Sequence, residues 1–321
     1  MGRAVIVGVD LGGTKVAAAP VTAAGDLAGD IRVVPTGAAA GVDAVLRTLL
    51  EVVAGILADL RRRGEAARGV AVATPGFVDP ETGDIPYATP ALPGWADVRL
   101  RQRLESAAGV PAFLINDGQA AAWGEFRRGA GRGTRDMLMV TVGTGIGGGA
   151  VVGGQLLRGA CGASARIGHV SMDTRGPVCY CGGYGCLELY ASGSAMARAA
   201  CEAIRTNGAE TALAALPGPV TGAAVLAAAA SGDRIARAIV EEAAVSLGAG
   251  LAVAVNLLNP SLIIVGGGVA RAGALVLEPA EAAMQRRLPP PLREAVRVRP
   301  AELWEAAGIV GVALLAWERW G

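Results

Sequence analysis

The single histidine of this chain and three of its cysteines stand near one another in the sequence and could bind a metal ion. His169 precedes Cys179, Cys181 and Cys186 in the spacing H-x9-C-x-C-x4-C. One imidazole and three thiolates form a closed tetrahedral zinc site. A disulfide is disfavoured, because Cys179 and Cys181 are too close in sequence to bridge easily. The pattern therefore predicts a structural zinc loop over residues 169–186.

Asp117 is the candidate general base. It follows a buried strand-like run, Ala112 to Ile115, through Asn116. A carboxylate at the end of a strand can accept a proton from a bound hydroxyl, and the neighbouring amide can hydrogen-bond other hydroxyls. The alternative is an Asx turn or an N-cap that starts the next helix. Glu188 follows the last cysteine by two residues, so the zinc loop could hold it at the same site, or it could start a solvated helix.

A glycine-rich turn after the first predicted strand could bind phosphate. The run Val5 to Val9 leads into Asp10-Leu11-Gly12-Gly13-Thr14-Lys15, where glycine N–H groups can approach phosphate oxygens closely. Thr14 adds a hydroxyl, and Lys15, the only lysine of the chain, adds a positive charge. Asp10 could hold hydrated Mg²⁺. A plain β-hairpin with glycines in its turn is the alternative interpretation.

A second turn repeats this pattern. The predicted strand Met137 to Val142 contains Thr141 and leads into Gly143-Thr144-Gly145-Ile146-Gly147-Gly148-Gly149, after which another strand begins. Neither turn has the Walker spacing, and the GxGxxG of the second lies between two strands, which argues against a dinucleotide fold. A third strand ends in Gly266-Gly267-Gly268. The repetition predicts two similar α/β halves whose phosphate-binding turns face a cleft.

Composition excludes several kinds of partner. The 321 residues suggest two domains, and 52% of them are apolar, enough for two cores. A net charge of +1 favours neither a nucleic-acid partner nor an acidic membrane. The longest apolar stretch, Leu247 to Val265, is broken by Asn259-Pro260, which predicts a buried helix followed by a strand and no membrane span.

The cysteines and the first residues indicate a reducing compartment. No apolar leader segment precedes the run Arg3 to Val7, so we expect a cytoplasmic protein. Cys161 and Cys201 lie outside the zinc pattern and are expected to be small buried apolar side chains.

Taken together, these motifs resemble the ROK family, which contains repressors and sugar kinases. The resemblance rests on the two glycine turns, on Asn116-Asp117, on the zinc loop from Gly168-His169 to Leu187-Glu188, and on the segment from Asn259-Pro260 to Gly268. These motifs occur in order over nearly the whole chain and are most similar to the bacterial glucokinase branch.

The resemblance implies an α/β fold of the two-domain actin-like ATPase (ribonuclease H-like) type, with a cleft between the domains and a small zinc-binding loop. A small N-terminal domain would span residues 1–118 and be joined by a C-terminal helix at about 305–321. A larger domain would span residues 119–304.

The resemblance also implies an ATP-dependent kinase for the primary hydroxyl of glucose or a glucose-like ring, with ATP, Mg²⁺ and structural Zn²⁺ as cofactors. Asp117 would be the catalytic base, and the protein would be a homodimer or homotetramer. The implied acceptor-binding residues are Gly76, Asn116, Asp117, Arg166, His169 and Glu188. The implied ATP- and Mg²⁺-binding residues are Asp10, Gly12, Gly13, Thr14, Lys15, Thr141, Gly143, Thr144, Gly145, Gly266, Gly267 and Gly268. The implied zinc ligands are His169, Cys179, Cys181 and Cys186.

Arg166 departs from the family pattern. Before the zinc loop the family has Gly-Glu-x-Gly-His, whose Glu binds sugar hydroxyls, whereas this chain has Ala165-Arg166-Ile167-Gly168-His169. A guanidinium only donates hydrogen bonds, so the polarity of this edge of the pocket is reversed. Such a change can alter substrate discrimination by about 10⁴-fold. Smaller departures are Gly118 and Gln119, where the family often has Ala and Asn.

Three explanations of Arg166 are open at this stage. The side chain could point to solvent, it could bind an acceptor group such as a carbonyl, or the protein could be a sugar-sensing pseudokinase. The second is favoured, because the other site residues are present. Its candidate substrates are a modified hexose, an amino sugar or a C7-cyclitol.

A repressor is disfavoured, because the first glycine turn begins at residue 10 and leaves no room for an N-terminal helix-turn-helix.

Overall fold

The computed structural model of the chain describes residues 4–79, 81–89, 92–207 and 210–321. Within these ranges the chain forms ten strands in two five-stranded sheets, with helices packed on them. The strands are β1 (Val5–Leu11), β2 (Lys15–Val21), β3 (Arg32–Pro35), β4 (Ala67–Thr74), β5 (Ala112–Asn116), β6 (Met137–Val142), β7 (Ile146–Val152), β8 (Gln155–Leu156), β9 (Leu262–Gly266) and β10 (Arg297–Pro300). The helices are α1 (Val42–Arg62), α2 (Leu100–Ala108), α3 (Asp117–Arg128), α4 (Glu188–Ala191), α5 (Gly193–Asn207), α6 (Gly222–Ala230), α7 (Arg234–Leu258), α8 (Ala274–Gln285), α9 (Pro290–Ala295) and α10 (Ala306–Trp320).

The first sheet has the strand order β3-β2-β1-β4-β5. β1 and β2 form an antiparallel hairpin, whereas β1, β4 and β5 run parallel to one another. The register pairs Asp10 with Ala73, and Thr74 with Asn116. The carboxyl ends of three neighbouring strands therefore meet at one edge, which is where ligands bind in α/β sheets.

One face of this sheet is covered by α1. Its apolar residues have helical spacing, and Val45, Leu49, Val53 and Leu60 are all buried against the sheet. The helix ends at Arg62, after which the chain turns through Gly64 with φ of +70°. A left-handed conformation of this kind is easily adopted only by glycine.

Helix α10 lies close to β1 and α3 because glycines remove the side chains at the contacts. A Cβ at Gly8 of β1 would overlap the carbonyl oxygen of Ile309, and one at Gly124 of α3 would overlap the carbonyl oxygen of Ala307. The fully buried Glu125 of α3 ties down the chain just before α10 by accepting hydrogen bonds from the N–H groups of Glu302 and Leu303.

The second sheet has the order β10-β9-β6-β7-β8, in which β9 is parallel to both β6 and β10. The apolar run 247–265 forms the end of α7 and then β9. Between them Asn259 ends the helix in the left-handed conformation. The predicted order of helix, break and strand is confirmed. By length and composition α7 could cross a membrane, but 56% of its most apolar window is buried, as in the core helix of a globular unit.

The chain divides into two compact units. The first contains the residues up to Arg135 together with Gly149–Ala165 and Glu302–Gly321, and the second contains Asp136–Gly148 and Arg166–Ala301. Helix α3 packs on α10 within the first unit, so this division falls later in the chain than the predicted boundary at residue 118. The predicted two-sheet α/β class is confirmed by both sheets.

The prediction for two cysteines was wrong. Cys161 and Cys201 are both exposed, not buried. Cys161 lies in an irregular segment after β8, and Cys201 lies on the outward face of α5, so neither belongs to a core. Residue type alone favoured burial, but neighbouring elements decide which face of a segment is covered.

Candidate functional site

The predicted site residues are distributed over both units. The first unit contains Asp10, Gly12, Gly13, Thr14, Lys15, Gly76, Asn116 and Asp117. The second contains Thr141, Gly143, Thr144, Gly145, Arg166, His169, Cys179, Cys181, Cys186, Glu188, Gly266, Gly267 and Gly268.

Asp10 and Asp117 form an interacting pair of carboxylates in the first unit. Burial, and then the negative charge of Asp117, raise the pKa of Asp10 from 3.8 to about 7, while the positive charge of Lys15 lowers it. The two strand ends are separated only by β4. A carboxylate destabilised in this way gains from a bound cation, which is the environment expected for a Mg²⁺ ligand.

Thr36, which the sequence analysis missed, holds the turn between β1 and β2 through two hydrogen bonds. The Thr36 N–H donates to the carbonyl of Thr14 at 3.0 Å, and the Thr36 hydroxyl donates to the carbonyl of Gly12 at 2.8 Å. Thr36 is fully buried, whereas Thr14 and Lys15 are exposed. The carbonyls of the turn are thus tied back toward the protein, and its hydroxyl and ammonium groups face outward.

Asn116 serves as the N-cap of α3, which confirms one of the two interpretations of Asn116-Asp117. Its side-chain oxygen accepts from the N–H groups of Gly118 and Gln119. The amide nitrogen of Asn116 donates to the carbonyl of Gly76 at 3.0 Å and to Asp117 Oδ1 at 2.9 Å. The cap therefore also fixes the orientation of the candidate base, so structural and catalytic roles are compatible.

Gly76 is required by its surroundings. Its φ is +103°, and a Cβ there would overlap the carbonyl oxygen of Tyr87. Thr74, two residues before Gly76, is fixed by Trp95, whose indole N–H donates to the Thr74 hydroxyl at 2.9 Å. Both Trp95 and Thr74 are buried. The sequence contained no signal for Trp95, because its partner is 21 residues away.

The glycines of the second turn are present for different reasons. Nothing lies within 4 Å of a Cβ built at Gly143, and its φ is not in the left-handed region, so neither packing nor backbone requires glycine there. Open space of this kind suits a ligand that approaches the backbone closely. A Cβ at Gly145, by contrast, would overlap Glu188 Oε2.

The third glycine element follows β9. Gly267 has a φ of +84°, and a Cβ there would overlap the carbonyl oxygen of Val142. Nothing lies within 4 Å of a Cβ at Gly268. The Val269 N–H donates to the carbonyl of Val142 at 3.0 Å, which joins this turn to the end of β6.

The candidate acceptor-binding residues of the second unit form a cluster with Tyr180. Tyr180 Oη lies 3.2 Å from His169 Nε2, and the two rings meet edge to face. The pKa of Tyr180 is raised by burial, then by the charge of Glu188 and a hydrogen bond to it. Burial, and then the positive charge of Arg166, lower the pKa of His169. Arg166 is partly buried, and its positive charge acts on both His169 and Tyr180.

The four predicted metal ligands come together. His169 Nδ1 lies 3.7 Å from Cys179 Sγ, and Cys181 Sγ lies 3.6 Å from Cys186 Sγ. All four ligand atoms lie within 4.8 Å of one another. Tetrahedral zinc with ordinary bond lengths places neighbouring ligand atoms about 3.5–3.8 Å apart, so the cluster has the correct size for this ion. Burial raises the pKa of Cys186 to about 12 and also raises that of Cys179, so a cation is needed to hold these sulfurs as thiolates.

Tyr180 and Gln119 contact candidate site residues or the segment beside them, which the sequence analysis did not recognise. Gln119 donates to the carbonyl of Gly162 at 3.0 Å and to the Ser164 hydroxyl at 3.1 Å, so it holds the segment that leads to Arg166. Its departure from the family residue was visible, but its partners more than 40 residues away were not. Tyr180 stands between two predicted metal ligands, a position that gave no indication of contact with Glu188.

Comparison with known proteins places these features in context. A model of the ROK family matches residues 6–319. The glucokinase of Streptomyces coelicolor is 37% identical over 97% of each chain, and the N-acetylmannosamine kinase of Yersinia pseudotuberculosis is 36% identical over 96% of this chain and 97% of that one. Among solved structures, a ROK family glucokinase from Streptomyces griseus in complex with glucose and AMPPNP superposes with a TM-score of 0.87 at 35% identity, covering 99% of this chain and 100% of that one.

Proposed function

The chain belongs to the ROK family, and on this basis we propose that it transfers the γ-phosphoryl group of ATP to the primary hydroxyl of glucose or a glucose-like ring. The observation that carries the proposal is the Asp10–Asp117 pair at the carboxyl edge of a parallel sheet, next to an outward-facing glycine turn. One carboxylate of such a pair suits a cation and the other suits the acceptor alcohol.

Asp117 is proposed as the general base. Its Oδ1 accepts hydrogen bonds from the Gly118 N–H and from the Asn116 amide, both at 2.9 Å, so the carboxylate is held in one orientation. As the oxygen of the acceptor alcohol bonds to the γ-phosphorus and ADP leaves, the hydroxyl proton passes to Asp117. Proton transfer of this kind contributes about 10²–10⁴-fold to the rate.

The nucleotide is proposed to bind to backbone at the glycine turns. The open space at Gly143 and Gly268, and the outward-facing Thr14 and Lys15, support this assignment. Thr141, Thr144, Gly13 and Gly266 stay predictions in the same role. Asp10 would bind Mg²⁺, which when present neutralises charge on the phosphates.

The acceptor is proposed to bind to side chains fixed by hydrogen bonds and by the metal loop. Asn116, His169 and Glu188 can donate to or accept from ring hydroxyls, and Gly76 lies beside the first of them. Zinc bound by His169, Cys179, Cys181 and Cys186 would give the loop rigidity. The expected homodimer or homotetramer and the cytoplasmic location stay predictions.

An N-acetylated amino sugar is a second candidate acceptor. The guanidinium of Arg166 acts on His169 and Tyr180 and can donate to a carbonyl oxygen. A relative with comparable identity is an N-acetylmannosamine kinase, which supports this alternative. Other modified hexoses and C7-cyclitols stay possible acceptors by the same chemistry.

The test is ADP release from ATP and Mg²⁺ with a panel of glucose, mannose, N-acetylglucosamine, N-acetylmannosamine and a C7-cyclitol. Phosphorus NMR of the product locates the new phosphate ester. Phosphorylation of a primary hydroxyl by the wild-type chain, and its loss in Asp117→Asn, is the expected result. Absence of turnover with every member of the panel would contradict a kinase and favour a sugar-sensing protein.

The preferred member of the panel decides between the two acceptor classes. If Arg166 binds a carbonyl, Arg166→Met should reduce kcat/KM for N-acetylated sugars about tenfold or more and leave glucose nearly unchanged. A clear preference of the wild-type chain for glucose over all other members would rule out the amino sugar.

A further inference from the structure

In the second unit, the carboxylate of Glu188, a candidate acceptor-binding residue, is hydrogen-bonded to the backbone of the second glycine turn. Glu188 Oε2 accepts a hydrogen bond from the N–H of Ile146 at 2.7 Å. Ile146 is the first residue of β7 and directly follows Gly145. A short hydrogen bond from a backbone N–H to a charged carboxylate is strong, so this contact fixes one oxygen of the Glu188 carboxylate.

Glycine at 145 is required by this carboxylate. A Cβ built at Gly145 would overlap Glu188 Oε2 and would lie only 3.1 Å from Glu188 Cδ. The φ of Gly145 is outside the left-handed region, so the backbone itself would accept an L-residue. The clashing atoms are the end of a flexible side chain, so an added methyl group would displace the carboxylate without unfolding the unit.

The carbonyl of the same residue, Ile146, lies close to the turn that carries His169. A Cβ at Gly168 would overlap the carbonyl oxygen of Ile146. Ile146 thus donates its N–H to Glu188 and presents its carbonyl to the turn that ends at His169. One residue of the second turn therefore binds Glu188 and also lies close to the segment that carries His169.

Gly143 provides the contrast within the same turn. Its carbonyl accepts from the N–H of Gly193 at 2.8 Å, at the start of α5, and no protein atom lies within 4 Å of the position of an added Cβ. The two glycines are separated by one residue. A Cβ at Gly143 would meet no protein atom, whereas a Cβ at Gly145 would occupy the space that the Glu188 carboxylate fills.

We propose that Gly145 is a positioning residue for Glu188, so that the tip of the second glycine turn sets the affinity for the acceptor, and that its glycine identity is not explained by phosphate binding. The inference rests on the proposed function, because it takes Glu188 as a group that binds the acceptor. It adds a direct structural connection between the acceptor residues and a turn proposed to bind nucleotide.

The test compares Gly145→Ala with Gly143→Ala, which adds the same methyl group two residues earlier. Glucose binding is measured by calorimetry without nucleotide, with N-acetylmannosamine as the probe if the wild-type chain prefers it, and KM is measured for sugar and for ATP. Gly145→Ala should weaken sugar binding about tenfold to hundredfold and leave the KM for ATP within about twofold. Gly143→Ala should leave sugar binding unchanged.

A double variant separates positioning from a general effect on the fold. Glu188→Ala removes the atoms that the new methyl group would meet, so adding Gly145→Ala to it should cause no further loss of thermal stability. If Gly145→Ala alone does not fold, Gly145→Ala/Glu188→Ala should restore folding, and its failure to do so would overturn the inference. Wild-type sugar affinity in Gly145→Ala, or a selective rise in the KM for ATP, would also overturn it. A wild-type chain without any kinase activity would instead refute the proposed function.

Discussion

The carboxylate of Asp117 raises the pKa of Asp10, which burial has already moved upward, and the pKa of Asp10 reaches about 7. Two carboxylates at strand ends separated by one strand repel each other and are favourable together around a cation. This relationship accounts for both roles proposed at the edge of the first sheet.

Replacing Asp117 by Asn should abolish transfer and preserve the fold. The amide can still accept from the Gly118 N–H, but it cannot take the acceptor proton, so kcat should fall by about 10³-fold or more. Steady-state ADP release and thermal unfolding check the two parts. Asp30→Asn, at an exposed aspartate outside the site, is the matched control. Substantial remaining turnover in Asp117→Asn would refute the base assignment.

Asp10→Asn should stabilise the protein in the absence of Mg²⁺ at neutral and higher pH. The folded pKa of Asp10 is above its ordinary value of 3.8, so folding binds protons between pH 3.8 and about 7. The wild-type chain therefore loses stability as pH rises through that window, by up to about 4 kcal/mol. Urea unfolding of both proteins at several pH values measures the difference, which should grow from pH 4 to pH 7 and then level off. A difference that does not change with pH would contradict the raised pKa.

Removing the hydroxyl of Tyr180 should improve acceptor binding. The phenol lies 3.2 Å from His169 Nε2 and also hydrogen-bonds Glu188, so it occupies groups that an acceptor hydroxyl needs. Tyr180→Phe should lower the KM for the sugar about fivefold and leave the KM for ATP unchanged. Tyr184→Phe, at an exposed tyrosine of the same loop, is the control. A higher sugar KM in Tyr180→Phe would show that the phenol contributes to binding.

Ala165→Gly should raise stability. Ala165 has a φ of +54°, a left-handed conformation that is unfavourable for a residue with a Cβ. Relief of this strain exceeds the extra flexibility of glycine in the unfolded chain, so the free energy of unfolding should rise by about 0.5–1 kcal/mol. Ala163→Gly, two residues earlier and without a positive φ, should lower it. Equal effects of both substitutions in urea unfolding would argue against strain at Ala165.

Loss of one zinc ligand should remove the metal and destabilise the second unit. Cys179→Ser should reduce bound zinc from one ion per chain to a small fraction and lower the unfolding temperature. Cys201→Ser, at an exposed cysteine outside the cluster, should change neither quantity. Metal content is measured by elemental analysis of the purified protein. Full zinc content in Cys179→Ser would exclude the proposed ligand set.

The elements and the metal cluster were predictable from sequence because their signals are local. The apolar run of β1 and the cysteine spacing around Tyr180 each lie within a few residues, and each led to the observed structure. The two-sheet class followed from the repeated strand–turn–strand pattern.

The support for the site residues was not predictable, because it comes from distant segments. Thr36 binds a turn 24 residues away, and Ile146 binds a carboxylate 42 residues away. Nothing in the local sequence distinguishes Gly143 from Gly145, although only Gly145 is constrained by a neighbouring side chain. The exposure of Cys201 likewise depends on which face of α5 is covered.

The exposure of Lys15 has a practical consequence. It carries the only side-chain amine of the chain and lies on the outward side of the first glycine turn. An amine-directed acylating reagent therefore has one internal target, and mass spectrometry can follow its modification without any engineered label. Protection of that amine by a bound nucleotide would report occupancy of the turn directly.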